Sequence, residues 1–374
     1  MDYEPPFLET YKTLLQENIE DSNSNNNDDD DEEEEEVELP LIDLKRLSDD
    51  DEREECMEEI SEAARRWGFF QIVNHGVSND ILGMMLFEQM KLFYQPFVKK
   101  SSDNFLGNLP PRTYRWGNPS ATNLRQLLWS EAFHFPISHV SMVDNHHKTL
   151  RSSIEAFVAT VTPLAQCLAE ILACKVNKMI KSKNYFRENC FAESCIIRLN
   201  RYPPCSKLLS SKLYGLMPHC DSSFLSIVYQ DHIGGLELLK DGKWVRVKPN
   251  PGALVVNIGD LYQALSNGVY KSIKHRVVVS QKQERYSMAF FYCPLQDALI
   301  QSNSKPAIYK KFTFREYREN NEKAVKQTGD KNLTKLTYKV NPKSTQDADN
   351  VGQSPRNNLA CCPNTDNTDK RVSF

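Results

Sequence analysis

The sequence predicts a mixed α and β fold. Its core is a double-stranded β-helix, the cupin-like jelly roll, with a helical region before it and one helix after it. Three observations predict this. From Ser194 onward, short apolar runs (SCIIRLNRY, FLSIVYQ, GLELL, KWVRVK, GALVVNIG, HRVVVS, RYSMAFFY) are separated by turn residues. The turns include Pro203-Pro204, Gly234-Gly235, Asp241-Gly242, Asn250-Pro251-Gly252 and Asn267-Gly268. Before Ser194, apolar residues recur mainly at helical spacing. Beyond the strands, Thr313 to Thr328 reads as a helix with Thr313 as its cap.

Residues 21 to 36, DSNSNNNDDDDEEEEE, repel one another and bury nothing, so 1–36 is expected to be a disordered acidic N-terminus. Order is expected from Val37, where VELPLIDL reads as a short strand. From Glu52 to Trp67, Cys56, Ile60, Ala63, Ala64 and Trp67 mark an amphipathic helix. Gly68 stops it, and FFQIVNHG reads as a buried strand ending in a turn, with His75 a structural histidine. Asn79 to Phe97 reads as a helix ended near Pro96, 101–119 as loop, and His146 to Ile180 as long helical stretches. The division that follows is 37–190 mostly helical, 191–296 jelly roll, 297–328 a C-terminal helical segment, and 329–374 a polar, aperiodic, disordered tail.

A chain of 374 residues can bury a large core, and 40% hydrophobic with 26% charged residues is globular composition. The net charge of −4, with no basic stripe carrying aromatics, argues against nucleic-acid binding. The most apolar long segment, Ile154 to Cys174, holds Glu155, Pro163 and Glu170 and reads as a core helix, so no membrane partner is expected. The first residues lack the basic start and apolar run of a secretory leader. The ten cysteines are irregularly spaced, which suits free thiols in a reducing compartment. A cytoplasmic protein is expected, with a nuclear share left open. Nothing in the sequence sets an oligomeric state.

His219 and Asp221 lie two apart in MPHCDSS and share a face if that segment is extended. His275, in IKHRVVV, must come from another strand, which a jelly roll can bring opposite the pair. Two histidines and a carboxylate hold non-haem Fe(II) with coordination positions open; zinc is the rival metal. Arg285 and Ser287, in ERYSMAF, share a strand face, and a guanidinium fork with a hydroxyl suits a carboxylate. A structural metal needs no such anchor, so the set points to iron with an organic acid as cosubstrate. Phe291, on the Arg285 face, is a candidate pocket wall or a core residue.

LNRYPPC (199–205), PHCDSS (218–223), GGLELLKDGKWVRVKP (234–249), NIGDLYQALSNGVYKSIKHRVVV (257–279) and ERYSMAFFYCP (284–294) resemble the plant 2-oxoglutarate- and Fe(II)-dependent dioxygenases. RRWGFFQIVNHGVS (65–78) resembles the N-terminal region of that superfamily. The likeness spans about Val37 to Thr328 and ends after Gly329. It implies that His219, Asp221 and His275 ligate Fe(II), that Arg285 and Ser287 hold the distal carboxylate of 2-oxoglutarate with Tyr202 in support, and that dioxygen is the oxidant. His219, Asp221, His275 and Arg285 are then the candidate catalytic residues.

Within that superfamily, YRWGNPSATNLRQLLWSEAFHFPI (114–137) resembles the gibberellin 2-oxidases, in particular the group acting on twenty-carbon gibberellins. This implies a small-molecule gibberellin substrate, hydroxylated at carbon 2β and thereby inactivated. Arg112, Arg115 and Arg125 become candidates for the substrate carboxylates, against the plainer reading of solvated loop charges. Trp116, Trp129 and Phe133 could equally pack the N-terminal region against the barrel. A related oxygenase of another metabolite, such as a flavonoid, and a non-catalytic metal-holding jelly roll are the alternatives.

Overall fold

A computed structural model describes residues 2–16, 35–111, 113–118, 121–176, 179–180, 182–206, 213–328 and 338–339. With strands numbered in chain order, eight form a major sheet. Its order is β2 (Leu41–Asp43), β3 (Phe69–Val73), β11 (Leu254–Ile258), β8 (Leu225–Gln230), β13 (Arg285–Tyr292), β6 (Ile196–Tyr202), β5 (Glu131–Pro136) and β4 (Tyr114–Trp116). Five form a minor sheet in the order β1 (Glu36–Val37), β10 (Lys243–Val247), β9 (Leu236–Lys240), β12 (His275–Val278) and β7 (Tyr214–His219). The pair β14 (Leu299–Ile300) and β15 (Phe312–Thr313) leads into the last helix. The two main sheets are the expected jelly roll.

Strand alternation sorts the core into two compartments. From β13, Tyr286, Met288, Phe290 and Tyr292 join one large cluster with Ile197 and Leu199 of β6, Leu225 and Ile227 of β8, and Val256 and Ile258 of β11. The helix Lys148–Cys174 covers this outer face through Ile154, Phe157, Val161, Leu164, Leu168 and Leu172. That helix has the length and composition of a bilayer span. Its apolar stripe is instead buried against the sheet, as a core helix requires. A smaller cluster, with Phe69, Leu236, Leu238, Val245, Val247 and Val255, takes side chains from both sheets. The remaining inward residues of β6, β8, β11 and β13 are mostly polar, and they build the site.

The helices Arg53–Arg66 and Asn79–Phe93 match their sequence periodicity, and Ser78 caps the second by accepting the Ile81 N–H. His75 is buried and structural: its Nδ1 accepts the Val77 N–H at 3.2 Å. The helix Phe314–Thr328 starts at a capping box, in which Glu316 accepts the Thr313 N–H at 2.7 Å and donates its own N–H back to Thr313 Oγ1 at 3.2 Å.

Three expectations need correction. Residues 2–16 are folded, not part of a disordered 1–36. Phe7, Tyr11 and Leu15 recur at i, i+4 spacing and bury against Leu127, Trp129, Leu213 and Val279, and Phe7 stacks on Trp129 at 4.7 Å. The charge density that suggested disorder belongs to residues 21–34, which lie outside the described residues. Within 37–190, expected to be mostly helical, β4 falls in the stretch 101–119 read as loop and β5 in a stretch with no expected strand, and both extend the major sheet. β5 pairs with β6 along its whole length, from Glu131↔Arg201 to Pro136↔Ile196. In the tail, Tyr338 and Lys339 dock on the domain. Lys310 donates its N–H to the Tyr338 carbonyl at 2.8 Å, Asn320 Nδ2 donates to Tyr338 Oη at 2.6 Å, and the Tyr338 ring lies 4.3 Å from Phe312. The rest of 329–374 lies outside the described residues.

This docking adds an aromatic contact and a hydrogen bond to the last helix. Tyr338→Ala is expected to destabilise the protein by about 1–2 kcal/mol, read as a lower urea midpoint. An unchanged midpoint would show that the contact adds nothing.

Candidate active site

Neighbouring strands β12 and β7 pair antiparallel, and their register sets His275 directly opposite His219. Asp221 follows two residues after β7 ends, in the connection to β8, where its carbonyl accepts the Asp260 N–H at 2.8 Å. The three side chains converge. Asp221 Oδ1 is 3.4 Å from His219 Nε2 and 3.8 Å from His275 Nε2, and all three donor atoms lie within 4.8 Å of one another. His275 therefore does come from a different strand, and that strand is the immediate neighbour of the first.

Each of the three side chains is oriented by a further contact. A backbone carbonyl can only accept, so His219 Nδ1 donates to Met217 O at 2.8 Å and His275 Nδ1 to Ile273 O at 3.1 Å. Both Nε2 atoms are thus left as lone-pair donors. Asp221 Oδ2 accepts from Ser226 Oγ at 2.6 Å and from Asn257 Nδ2 at 2.9 Å, which leaves Oδ1 toward the histidines. Burial, with the His219 imidazole beside it, pushes His275 down to about 4, so the ring is neutral at ordinary pH. Burial alone would raise Asp221. The adjoining His275 and His219 and the Ser226 hydroxyl outweigh it and hold the carboxyl well below its usual range. Two neutral imidazoles and one carboxylate are a donor set for a divalent cation with positions left open.

The second anchor lies on β13. Arg285 is 2% exposed and stands over the Tyr202 ring at 4.9 Å, its cross-strand partner on β6. Its Nη2 donates to Gln230 Oε1 at 2.8 Å, while Nε and Nη1 are buried without a protein partner among the described residues. Burying unmatched guanidinium N–H groups is costly unless a ligand takes them. Ser287 is two residues on, opposite Asn200, whose Nδ2 donates to Ser287 Oγ at 3.3 Å. Space beside Tyr202 depends on Gly215: a Cβ there would lie 2.5 Å from the tyrosine ring. The unpartnered fork fits a carboxylate such as the distal one of 2-oxoglutarate, and the three ligands fit the iron that such a cosubstrate serves.

Beside the histidines opens a cavity of about 580 Å³, the size of a small-molecule site. Phe291, Leu216, Ile196 and Phe314 supply apolar walls, and Arg115, Arg198, His134 and Arg318 supply positive or polar edges. Phe291 is therefore a wall. Of the three loop arginines, Arg115 reaches the cavity, while Arg112 and the Arg125 side chain lie outside the described residues. Trp116, Trp129 and Phe133 are packing residues. The two tryptophans flank Phe7, and Phe133 meets Phe93 and Tyr114. The sequence reading missed Ser226, Asn257 and Gln230, which no local motif marks. It also missed Arg198, although period-two alternation from Asn200 and Tyr202 marks its face.

A jelly roll with this donor set and this carboxylate anchor defines an iron- and 2-oxoglutarate-dependent oxygenase. Comparison with known proteins agrees. Residues 193–294 match the 2OG-Fe(II) oxygenase superfamily, and residues 39–151 match the N-terminal region of a non-haem dioxygenase in morphine synthesis. The chain is 48% identical to gibberellin 2-beta-dioxygenase 8 of Arabidopsis thaliana, covering 87% of this chain and 96% of that one. It is 41% identical to gibberellin 2-beta-dioxygenase 5 of Oryza sativa subsp. japonica, covering 87% and 94%. Among solved structures, JOX2 in complex with 2OG, Fe and JA superposes with a TM-score of 0.63 at 32% identity, over 77% of this chain and 86% of that one. The chain belongs to the 2OG-Fe(II) oxygenase superfamily and, within it, to the gibberellin 2-beta-dioxygenases.

Two substitutions separate the anchors. Asn257→Ala removes one of two bonds on Asp221 Oδ2 and is expected to weaken Fe(II) binding roughly 10- to 100-fold, measured by anaerobic titration; undiminished affinity would reject the positioning role. Arg285→Ala is expected to raise the KM for 2-oxoglutarate roughly 10- to 100-fold with Fe(II) stoichiometry intact, and an unchanged KM would count against that anchor.

Proposed function

We propose that this protein hydroxylates gibberellins at carbon 2β, with twenty-carbon gibberellins as its substrates, and so inactivates the hormone or its precursors. Identity of 48% across nearly the whole length of a gibberellin 2-beta-dioxygenase carries the reaction. Likeness of residues 114–137 to the twenty-carbon group supports the substrate. In this reading His219, Asp221 and His275 hold Fe(II), and Arg285, Ser287 and Tyr202 hold 2-oxoglutarate. When bound, iron with 2-oxoglutarate and dioxygen supplies an oxidant that places one oxygen atom in an unactivated C–H bond, with succinate and carbon dioxide as co-products.

The protein's part is position and exclusion of water. Met217 and Ile273 carbonyls fix the imidazole planes, and Ser226 with Asn257 fixes the carboxylate. Arg285 sets the cosubstrate's direction along β13. Phe291, Leu216 and Phe314 present apolar surface to a polycyclic skeleton and keep bulk water from the reacting carbon. A cytosolic location suits the eight described cysteines, all free thiols.

Purified protein loaded with Fe(II) under anaerobic conditions, then given oxygen, 2-oxoglutarate and gibberellins of either carbon number, is expected to add one oxygen to twenty-carbon substrates with stoichiometric succinate. Mass spectrometry reads the product. Failure to oxidise any gibberellin would reject the reaction, and a preference for nineteen-carbon gibberellins would reject the substrate class.

A further inference from the structure

We infer that Arg198 is the residue that grips a carboxylate of the substrate and so fixes which carbon faces the metal site. The inference rests on the gibberellin reading for its substrate, an acid on an apolar polycycle, and on the following observations for its residue.

Two other enclosed guanidiniums among the described residues are answered by carboxylates. Arg201, 1% exposed, pairs with Glu4, Glu131 and Glu284 at 2.6–2.9 Å. Arg276 pairs with Glu237 at 2.6 Å. Two arginines on the inward faces of β6 and β13 break this pattern. One is Arg285, whose unmatched N–H groups fit the cosubstrate. The other is Arg198, which donates Nε to the neutral Asn200 Oδ1 at 2.7 Å and forms no ion pair among the described residues. It is half-buried, and desolvation, with the Arg115 charge nearby, pushes its pKa below the ordinary arginine value. An incoming anion would relieve both effects.

Its place separates the two anions. Arg198 faces Ala289 in the β6–β13 ladder, while Arg285 faces Tyr202, four residues along. At about 3.3 Å per residue that is roughly 13 Å, so the two forks serve different ligands. Asn200 stands between them, accepting from Arg198 and donating to Ser287. Arg198 opens on the same cavity as His219, Asp221 and Phe291. Arg115 and Arg318, both exposed, line it nearer solvent with one carboxylate, Glu322, so the basic side chains of the lining outnumber the acidic one at the mouth.

The experiment compares a gibberellin with its methyl ester, using unsubstituted protein, Arg198→Met and Arg198→Lys, each with Fe(II) and 2-oxoglutarate. Unsubstituted protein should prefer the acid at least about tenfold in kcat/KM, as a charged hydrogen bond allows. Arg198→Met should raise the KM for the acid by a similar factor and abolish the preference, with the 2-oxoglutarate KM and Fe(II) stoichiometry within about twofold of the parent. Arg198→Lys, which keeps the charge and loses the fork, should retain part of the preference. A Met variant that still prefers the acid as the parent does, or one that loses acid and ester equally, would overturn the assignment. If the unsubstituted protein oxidises gibberellins while Arg198→Met keeps the preference, only this inference falls. If it oxidises none, the functional reading falls as well.

Discussion

Asp221 is tied through Oδ2 to Ser226 on β8 and Asn257 on β11, both in the major sheet, while its Oδ1 lies beside two histidines of the minor sheet. One carboxylate thus spans the two layers of the barrel. The constraint works because each oxygen has a separate task. If Oδ2 were free, the carboxylate could rotate, and the donor set would lose its common focus. The buried charge is tolerable only because hydroxyl, amide and imidazole surround it. The spacing of the sheets, set by the apolar plug of Phe69, Leu236, Leu238 and Val255, therefore also sets the geometry of the site.

β13 and β6 show how one ladder serves two purposes. Their odd and even positions divide between the helix-covered core and the ligand side. Apolar packing through Met288, Phe290, Ile197 and Leu199 holds the register, and that register holds Arg285 over Tyr202 and Ser287 beside Asn200. A slip of one residue would carry both anchors into the hydrophobic cluster. At the same end of β6 but on its other face, Arg201 and the fully buried Lys100–Glu131 pair, 2.6 Å apart, join β5, the Asn79–Phe93 helix end and the N-terminal segment through Glu4 and the Tyr3 carbonyl. Such buried charges add little net stability. They penalise any arrangement that leaves one unanswered, which locates residues 2–16 on the domain.

Much of the site was legible in the sequence. The pair His219 and Asp221, the separate His275, and the Arg285–Ser287 alternation each follow from side-chain chemistry and strand period. The helices at 53–66, 79–93 and 148–174 carry strong periodicity. What escaped detection has a common cause. Ser226, Asn257 and Gln230 look like ordinary strand residues until a neighbouring strand brings Asp221 or Arg285 to them. β5 is not marked as a strand by its sequence because Glu131 and His134 interrupt its apolar run, and their cross-strand partners, Arg201 and Arg198, sit on β6. Residues 2–16 were overshadowed by the acidic run beside them, although Phe7, Tyr11 and Leu15 already formed a stripe.

The sequence by itself determined the candidate chemistry: which side chains suit a metal, which suit an acid, and most of the segments that are helix or strand. These follow from functional groups and from periods of two and 3.6, both local properties. Only the tertiary structure decided that His275 faces His219 across one ladder, that Asp221 is divided between two sheets, and that Arg198 lines the cavity with no ion pair among the described residues. Those facts depend on strand order and register, and pairing between residues far apart in the chain leaves no trace in either segment alone.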